Sequence, residues 1–290
     1  MALYAMGDLH LCLGAPKPMD VFGGAWVGYM EKLKQGLSVI TEKDTLVLMG
    51  DLSWALDLNS AVADFAWINE IPGRKIILKG NHDYWWSTQA KFTKFCLENG
   101  FSDLNLLNNN CFFYDDWAIC GTRGWFFEEE RSGDHDEKVF RRELIRLEAS
   151  LKAAGDREKM VFLHYPPRYK GYTCREILDL LESYGVRQCF YGHLHGASHK
   201  LAMEGTWDGV EYRLLSADYL NFQPYIVKKC KVFSRKVWTR PYIFDRIYRL
   251  CIGIPENCGF QPGKWLFVSV KALESSEYTF VAFQGDPGTR

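Results

Sequence analysis

Residue types that bind metals and transfer protons occur in five short motifs spread over residues 8 to 195. These motifs are Asp8-Leu9-His10, Gly50-Asp51, Gly80-Asn81-His82-Asp83, His164 and Gly192-His193-Leu194-His195. Five of the chain's 7 histidines lie in them, and only His135 and His199 lie outside. Their oxygen and imidazole nitrogen atoms suit two adjacent divalent metals, with one histidine left for acid chemistry. The motifs therefore predict a dinuclear metal hydrolase.

Each motif follows a short apolar run that predicts a β-strand. These runs are Leu3–Met6, Thr45–Met49, Lys75–Lys79, Met160–Leu163 and Cys189–Tyr191. Continuous apolar runs of this length are typical of sheet strands that are covered on both faces. Ligands at the carboxyl ends of such strands meet in the crevice where open α/β sheets bind their ligands.

Helical patterns separate the strand-like runs. Residues 26–40 and 60–71 carry apolar side chains at roughly helical spacing. The run Thr173-Cys174-Arg175-Glu176 has the form of a capping box and predicts the start of a helix that ends near Gly185. The alternation of strand and helix up to about residue 200 predicts an α/β fold.

Two stretches interrupt this alternation. Residues 111–124 predict a hairpin that turns at Asp115-Asp116, and residues 128–133 form a polar loop. A long helix follows, with an apolar stripe from Phe140 to Leu151. The polar loop is either a lid over the site or a solvated connection, and its charges favour the solvated connection.

The composition is that of a globular protein. The chain has 290 residues, of which 47% are hydrophobic and 24% charged, and its net charge of -1 argues against a general nucleic-acid or membrane-surface binder. Neither a spanning helix nor a leader segment is recognisable. The 9 cysteines are widely spaced without a Cys-x-x-Cys pair, which favours thiols in a reducing compartment. We expect a cytoplasmic protein.

The chain changes character near residue 230. Residues 231–290 contain no histidine and carry 9 basic and 5 acidic residues, against 26 and 31 in residues 1–230. Alternating runs at 265–270 and 278–283 predict strands. We assign residues 1–230 to the main domain and 231–290 to a C-terminal extension of uncertain structure. The extension is a small β appendage, added strands of the main fold or a poorly ordered segment.

The five motifs, in this order, closely resemble the signature blocks of the calcineurin-like metallophosphoesterase superfamily, and most of all its small bacterial phosphohydrolases. The resemblance implies that residues 1–230 are a metallophosphoesterase domain. The expected fold is an α/β class four-layer α/β/β/α sandwich. It also implies two divalent ions and in-line attack on a phosphorus ester.

The resemblance assigns roles to individual residues. The first ion is expected at Asp8, His10 and His195, with Asp51 as the bridge, and the second at Asn81, His164 and His193. His82 matches the family's general acid and phosphate-contacting histidine. Its neighbour Asp83 is expected to orient the His82 ring and to raise its pKa. Manganese is the expected metal, and Fe, Zn, Co or Ni also suit such ligands.

Two further sets of residues are candidates for substrate contact. Asn81 and Arg123 are expected to bind substrate, since Arg123 can clamp a second phosphate or carboxylate, although a plain surface role suits it equally. Arg168 is a weaker candidate. Aromatic residues flank the motifs and form either a stacking wall or ordinary packing, with packing favoured. They are Trp54, Tyr84, Trp85, Trp86, Trp125, Phe126 and Phe127.

The function expected from these features is a metal-dependent phosphoesterase. Water activated between the two ions would attack a small phosphodiester or phosphomonoester, and His82 would protonate the leaving group. Protein phosphatases of this superfamily carry arginines that residues 51–57 and 83–86 lack, so a phosphoprotein substrate is disfavoured. The alternatives are a non-catalytic scaffold, which would have lost ligands that this chain retains, and a nuclease. The net charge of -5 over residues 1–230 disfavours nucleic acid. No membrane partner is expected, and the sequence does not specify an oligomeric state.

Overall fold

A computed structural model describes residues 1–125, 134–229, 265–272 and 278–285. The chain divides into two compact units, Met1–Val232 and Phe233–Arg290. The segment that contains the expected boundary at residue 230 lies outside the described residues, as does the polar loop at 128–133.

Thirteen strands are described in the first unit. They are β1 (Ala2–Met6), β2 (Thr45–Met49), β3 (Arg74–Leu78), β4 (Leu104–Leu106), β5 (Phe112–Tyr114), β6 (Trp117–Thr122), β7 (Glu158–Leu163), β8 (Arg168–Tyr169), β9 (Tyr172–Thr173), β10 (Gln188–Tyr191), β11 (Gly205–Trp207), β12 (Val210–Leu214) and β13 (Tyr225–Lys229). One sheet has the order β13-β1-β2-β3-β4 and a second has the order β11-β12-β10-β7-β6-β5, while β8 and β9 form a small ribbon. The central strands of both large sheets are parallel, and β13, β11 and β5 are antiparallel edge strands.

Five α-helices of the first unit cover the outer faces of the sheets. They are α1 (Tyr29–Leu37), α2 (Val62–Glu70), α3 (Gln89–Asn99), α4 (Asp134–Ala153) and α5 (Arg175–Ser183). Short 3₁₀ helices occupy Met19–Phe22, Gly24–Trp26 and Gly196–Leu201. Helices α1, α2 and α3 pack on the first sheet, and α4 and α5 pack on the second.

Alternating side chains of the strands place the core in three layers. In β2, Leu46 and Leu48 face the helices, whereas Val47 and Met49 face the second sheet. Residues of the second sheet, among them Phe162, fill the same layer between the sheets. Because side chains alternate along a strand, continuous apolar runs are what a sheet buried on both faces requires. The expected four-layer α/β/β/α sandwich is confirmed.

Most elements predicted from the apolar patterns are present. The hairpin at 111–124 and the long helix after it are confirmed by β5, β6 and α4. The capping box at Thr173 is wrong, because Thr173 pairs with Arg168 in the β8–β9 ribbon. The N-cap of α5 is Cys174, which makes no side-chain capping bond.

The described part of the second unit is a pair of strands. β14 (Trp265–Ala272) and β15 (Tyr278–Gly285) are antiparallel, with Trp265 opposite Gly285 and Ala272 opposite Tyr278. Both predicted strands of the C-terminal extension are thus confirmed.

Candidate metal centre and acid histidine

The five motifs meet at one edge of the two sheets. Asp8 lies two residues beyond β1 and Asp51 lies two beyond β2, in the first sheet. His164 directly follows β7 and His193 lies two residues beyond β10, in the second sheet. Backbone hydrogen bonds join the two sheets here, since Gly7 N–H donates to the carbonyl of Leu215 at 2.8 Å. All the motif residues therefore reach a common crevice from opposite sheets.

The backbone carrying the candidate ligands is strained. Asp8, His10, Asp51 and His193 have φ values of 62°, 49°, 51° and 72°, a region that L-residues other than Asn and Asp rarely adopt. Such conformations cost on the order of 1–3 kcal/mol each and persist where the surrounding structure enforces them. Their clustering at one crevice indicates a functional site.

Two glycines in the motifs allow close approach of the chain to a ligand carboxylate. A Cβ on Gly80 would collide with Asp51, and one on Gly192 would lie 2.5 Å from Oδ2 of Asp8. Gly50 has a different role, because its φ of 86° favours glycine. The requirement at residues 80 and 192 is therefore space beside the aspartates.

One group of ligand atoms consists of Asp8, His10 and His195, whose ligand atoms lie within 4.8 Å of one another. The Nε2 atoms of His10 and His195 are 3.3 Å apart, and His195 Nε2 is 3.5 Å from Oδ1 of Asp8. Asp8 and His10 are buried, and His195 is 29% exposed. A carboxylate and two imidazoles facing one point are ligand types that divalent metals bind, which makes this group a candidate metal site.

A second group consists of Asp51, His164 and His193. Asn81 completes it, because its Oδ1 lies 2.6 Å from Nε2 of His164 and 3.0 Å from Nδ1 of His193. The other ring nitrogen of His164, Nδ1, donates to the carbonyl of Met49 at 3.1 Å. This bond leaves the lone pair of Nε2 facing the group, as a metal ligand requires.

Asp51, a member of the second group, also faces the first. Its Oδ2 is 3.9 Å from Nε2 of His10 and 3.5 Å from Nε2 of His164, and its Oδ1 accepts the backbone N–H of His82 at 2.7 Å. Burial, together with the nearby Asp83 and Asp8, raises the pKa of Asp51 well above its usual value. A cation in the crevice would favour the ionised carboxylate.

The two groups differ in their protonation. Although burial opposes its charge, the carboxylates of Asp8 and Asp218 raise the pKa of His195 to about 10. Burial and the nearby His164 lower the pKa of His193 to about 3. A metal at the first group therefore has to displace a proton from His195, whereas His193 is already a neutral ligand.

His82 stands beside the groups rather than within them. Its ring lies 4.6 Å from the Trp54 ring and 6.1 Å from the His10 ring. Trp54 in turn stacks on His10, with ring centroids 4.8 Å apart. Burial and the nearby His164 lower the pKa of His82 to about 4. An anionic substrate beside the ring would raise this pKa and favour the protonated form.

Asp83 makes contacts other than the expected bond to the His82 ring. Its buried carboxylate accepts the backbone N–H groups of Asp51, Leu52 and Gly80 at 2.7–2.9 Å, and the indole N–H of Trp85 at 2.9 Å. These bonds tie the loop after β2 to the loop after β3. In the described structure Asp83 thus holds the backbone that presents Asp51 and His82.

Asp218 is a site residue that the motif analysis missed. It follows β12 and is buried, and its Oδ1 accepts Nδ1–H of His195 at 2.9 Å while Oδ2 accepts Gly196 N–H at 3.0 Å. His199 Nε2 lies 3.2 Å from the same carboxylate. A carboxylate on the far nitrogen of a ligand histidine orients the ring and raises its basicity. Its sequence signal is an acid shortly after the apolar strand end Leu214-Leu215.

Arg123 directly follows β6 and borders the second group. Its guanidinium lies 6.0 Å from the ring of Tyr165, which is 4.6 Å from the ring of His193. Glu143 of α4 lies 3.6 Å from Arg123 and also binds Arg146. The buried Nε of Arg123 has no hydrogen-bond partner among the described residues. Arg168, the weaker candidate, lies over the ring of Trp207.

The aromatic residues near the motifs divide between packing and the crevice. Trp85 is 2% exposed and packs against Phe65 at 4.7 Å, as the packing interpretation predicts. Trp54 contacts the site histidines, and Tyr84 is 60% exposed at 6.2 Å from the His82 ring. Phe126 and Phe127 lie outside the described residues.

With the fold and crevice established, comparison with protein families identifies the chain. The calcineurin-like phosphoesterase family model matches residues 1–197, so the chain belongs to this family. The protein is therefore a metal-binding phosphoesterase, and its described residues contain His and Asp groups able to hold the metal. In the described residues no helix is both long and apolar enough to cross a membrane.

Similar solved structures include proteins from three organisms. A protein of unknown function from Aquifex aeolicus is 16% identical with a TM-score of 0.41, and the alignment covers 77% of this chain and 94% of that one. A Thermus thermophilus protein is 18% identical with a TM-score of 0.44, and the alignment covers 67% of this chain and 81% of that one. The phosphopantetheinyl hydrolase of Mycobacterium tuberculosis is 13% identical with a TM-score of 0.48, and the alignment covers 78% of this chain and 93% of that one. Comparison with curated proteins found no match.

Proposed function

We propose that this protein is a dinuclear metallophosphoesterase that hydrolyses a small phosphodiester or phosphomonoester. The observation that carries the proposal is the position of Asp51, whose Oδ2 lies 3.9 Å from His10 of one ligand group and 3.5 Å from His164 of the other. A carboxylate between two cations offsets their repulsion at the separation of about 3.5–4 Å that two-metal hydrolases use.

The proposed ligands follow the two groups. Asp8, His10 and His195 would hold the first ion, Asn81, His164 and His193 would hold the second, and Asp51 would serve both sites. Manganese is the proposed metal, since these oxygen and imidazole ligands suit it and thiolates are missing from both groups. Two bound ions supply Lewis acidity that makes water nucleophilic at neutral pH and neutralises phosphoryl oxygens.

Asp218 and the Met49 carbonyl orient two of the proposed ligand histidines. Asp218 fixes the ring of His195 through Nδ1, and the Met49 carbonyl fixes the ring of His164 through Nδ1. Asp83 holds the backbone N–H groups beside Asp51, so the bridging carboxylate is positioned before substrate arrives. This preorganisation reduces the reorganisation needed during the reaction.

His82 is the proposed general acid. Its ring stands beside His10 of the first group and against Trp54, where it can hydrogen-bond a phosphoryl oxygen and protonate the leaving alkoxide. Asp83 contributes by holding the backbone N–H groups of Gly80 and Asp51, and Asp51 in turn accepts the backbone N–H of His82. Arg123 and Asn81 are the proposed substrate contacts, Arg123 as the cation next to the second group and Asn81 as both ligand and substrate neighbour.

The test compares esters that differ in their need for an acid. With Mn²⁺, we expect wild type to hydrolyse either bis-p-nitrophenyl phosphate or p-nitrophenyl phosphate, and to act on the corresponding phenyl ester as well. His82→Ala should lose roughly 10²–10⁴-fold in kcat on the phenyl ester, the usual range for a general acid. The loss should be smaller on the nitrophenyl ester, because p-nitrophenolate leaves with little need of a proton.

Metal content and thermal unfolding of His82→Ala serve as controls, and both should match wild type because His82 belongs to neither ligand group. Equal losses on the two esters would contradict the acid role. Absence of metal-dependent hydrolysis in wild type would contradict the proposed function.

A further inference from the structure

Beyond the reaction itself, we propose that Lys17 and Trp54 form a second anion subsite on the leaving-group side of the crevice. The subsite selects phosphate esters whose leaving group carries another negative charge, such as a second phosphate. This inference rests on the proposed function, because it takes His82 as the group that the leaving alkoxide approaches.

Lys17 is held in an unusual position for an exposed lysine. Its Nζ lies 3.2 Å from the centroid of the Trp54 ring, a cation–π contact. Pro16 and Pro18 flank it in the chain and restrict the backbone on both sides. Among the described residues, no ion pair includes Lys17. The ammonium therefore keeps donors for a ligand.

Trp54 connects this charge to the reacting part of the crevice. Its ring lies 4.8 Å from His10, a candidate ligand of the first ion, and 4.6 Å from His82. Trp54 is only 8% exposed, and its buried indole N–H has no hydrogen-bond partner among the described residues. An ammonium and an unused N–H donor thus lie together beside the acid.

The direction of the reaction decides which part of a substrate reaches Lys17. The leaving oxygen must face His82 to receive its proton, so the atoms beyond that oxygen extend along the His82 side toward Trp54. Arg123 borders the second ligand group instead, through Tyr165 and His193. Residues 51–57 and 83–86 contain no lysine or arginine. Lys17 is therefore the cation that the described structure places against the His82–Trp54 side.

The test uses two non-hydrolysable ligands that differ by one phosphonate: propylphosphonate and propane-1,3-bisphosphonate. Binding to the Mn²⁺-loaded full chain is measured by calorimetry, and inhibition of nitrophenyl ester hydrolysis is measured in parallel. We expect wild type to bind the bisphosphonate at least tenfold more tightly. Lys17→Met should reduce that preference to about twofold or less, and Lys17→Arg should restore most of it.

A matched control is Lys34→Met, which removes one positive charge from an exposed position of α1. This variant should keep the tenfold preference. If the preference came only from the net charge of the protein, Lys34→Met would lose it as much as Lys17→Met does. Equal affinity of wild type for both ligands, or loss of the preference in Lys34→Met, overturns the subsite. A preference lost only in Lys17→Met, in a protein that hydrolyses neither nitrophenyl ester, supports the subsite while contradicting the proposed function.

Discussion

Replacement of Asp218 by Asn tests whether His195 is a metal ligand held by a buried carboxylate. Asp218 accepts Nδ1–H of His195 at 2.9 Å and the N–H of Gly196 at 3.0 Å. Asn has one acceptor oxygen where Asp has two, so its amide NH₂ must face one of these two donors. The Asp218→Asn variant therefore loses one hydrogen bond and the negative charge behind His195.

The expected effect is a weaker first metal site. Loss of such a partner behind a ligand histidine lowers metal affinity by roughly 10–100-fold, or about 1.4–2.8 kcal/mol. Asp218 also stabilises the proton that a metal must displace from His195. A dication interacts more strongly with the carboxylate than a single charge does, so removal of the carboxylate still lowers metal affinity overall. The second site, with Asn81 and His193, has no contact with Asp218 in the described structure and should keep its affinity.

Calorimetric titration of metal-free protein with Mn²⁺ measures both steps. Asp179→Asn, which removes an exposed carboxylate from α5, is the matched control and should bind metal like wild type. Equal weakening of both binding steps in Asp218→Asn, or no change in either, would refute the assigned role of Asp218.

Two further predictions concern folding and the shape of the site. Gly192→Ala should weaken metal binding and lower the unfolding temperature more than Gly155→Ala does. A Cβ at residue 192 meets Asp8, whereas a Cβ at residue 155 has open space and only the φ of 57° is unfavourable there. Mn²⁺ titration and thermal melts of both variants measure this, and equal effects would contradict it. Asp44→Asn should reduce the free energy of unfolding by about 1–3 kcal/mol at pH 7, since Asp44 accepts bonds from Ala2 and Thr41. Burial opposes ionisation, but these bonds lower the pKa of Asp44 in the folded state, so its contribution is lost as pH falls through that lowered pKa. Urea unfolding between pH 7 and pH 2 should show the gap closing at the acid end, and a gap that persists at pH 2 would count against this explanation.

The sequence indicates which side chains meet in the crevice, because each candidate ligand follows a strand with a clear apolar pattern. Asp51 after β2 and His164 after β7 are examples, and the parallel sheets bring such strand ends together. Asp218 was missed because it has no histidine or glycine motif around it, although it too follows an apolar strand. Its role depends on β12 lying next to β10 in the sheet, which the local pattern does not specify.

Errors arose where a local pattern met a tertiary contact. Thr173 has the sequence of a cap but is taken into the β8–β9 ribbon. Asp83 is adjacent to His82 in sequence, yet its carboxylate accepts N–H groups from the loops after β2 and β3. These N–H groups lie beyond the strand ends, where the sheet supplies no acceptor. Sequence adjacency places two residues on one loop, and the donors around them decide which way each side chain turns.

The central claim is that Asp51 joins two metal sites. Its most direct test is anomalous X-ray diffraction from crystals of the Mn²⁺-loaded protein. The account predicts two manganese peaks about 3.5–4 Å apart, on either side of the Asp51 carboxylate. A single peak, or two peaks without Asp51 between them, would contradict it.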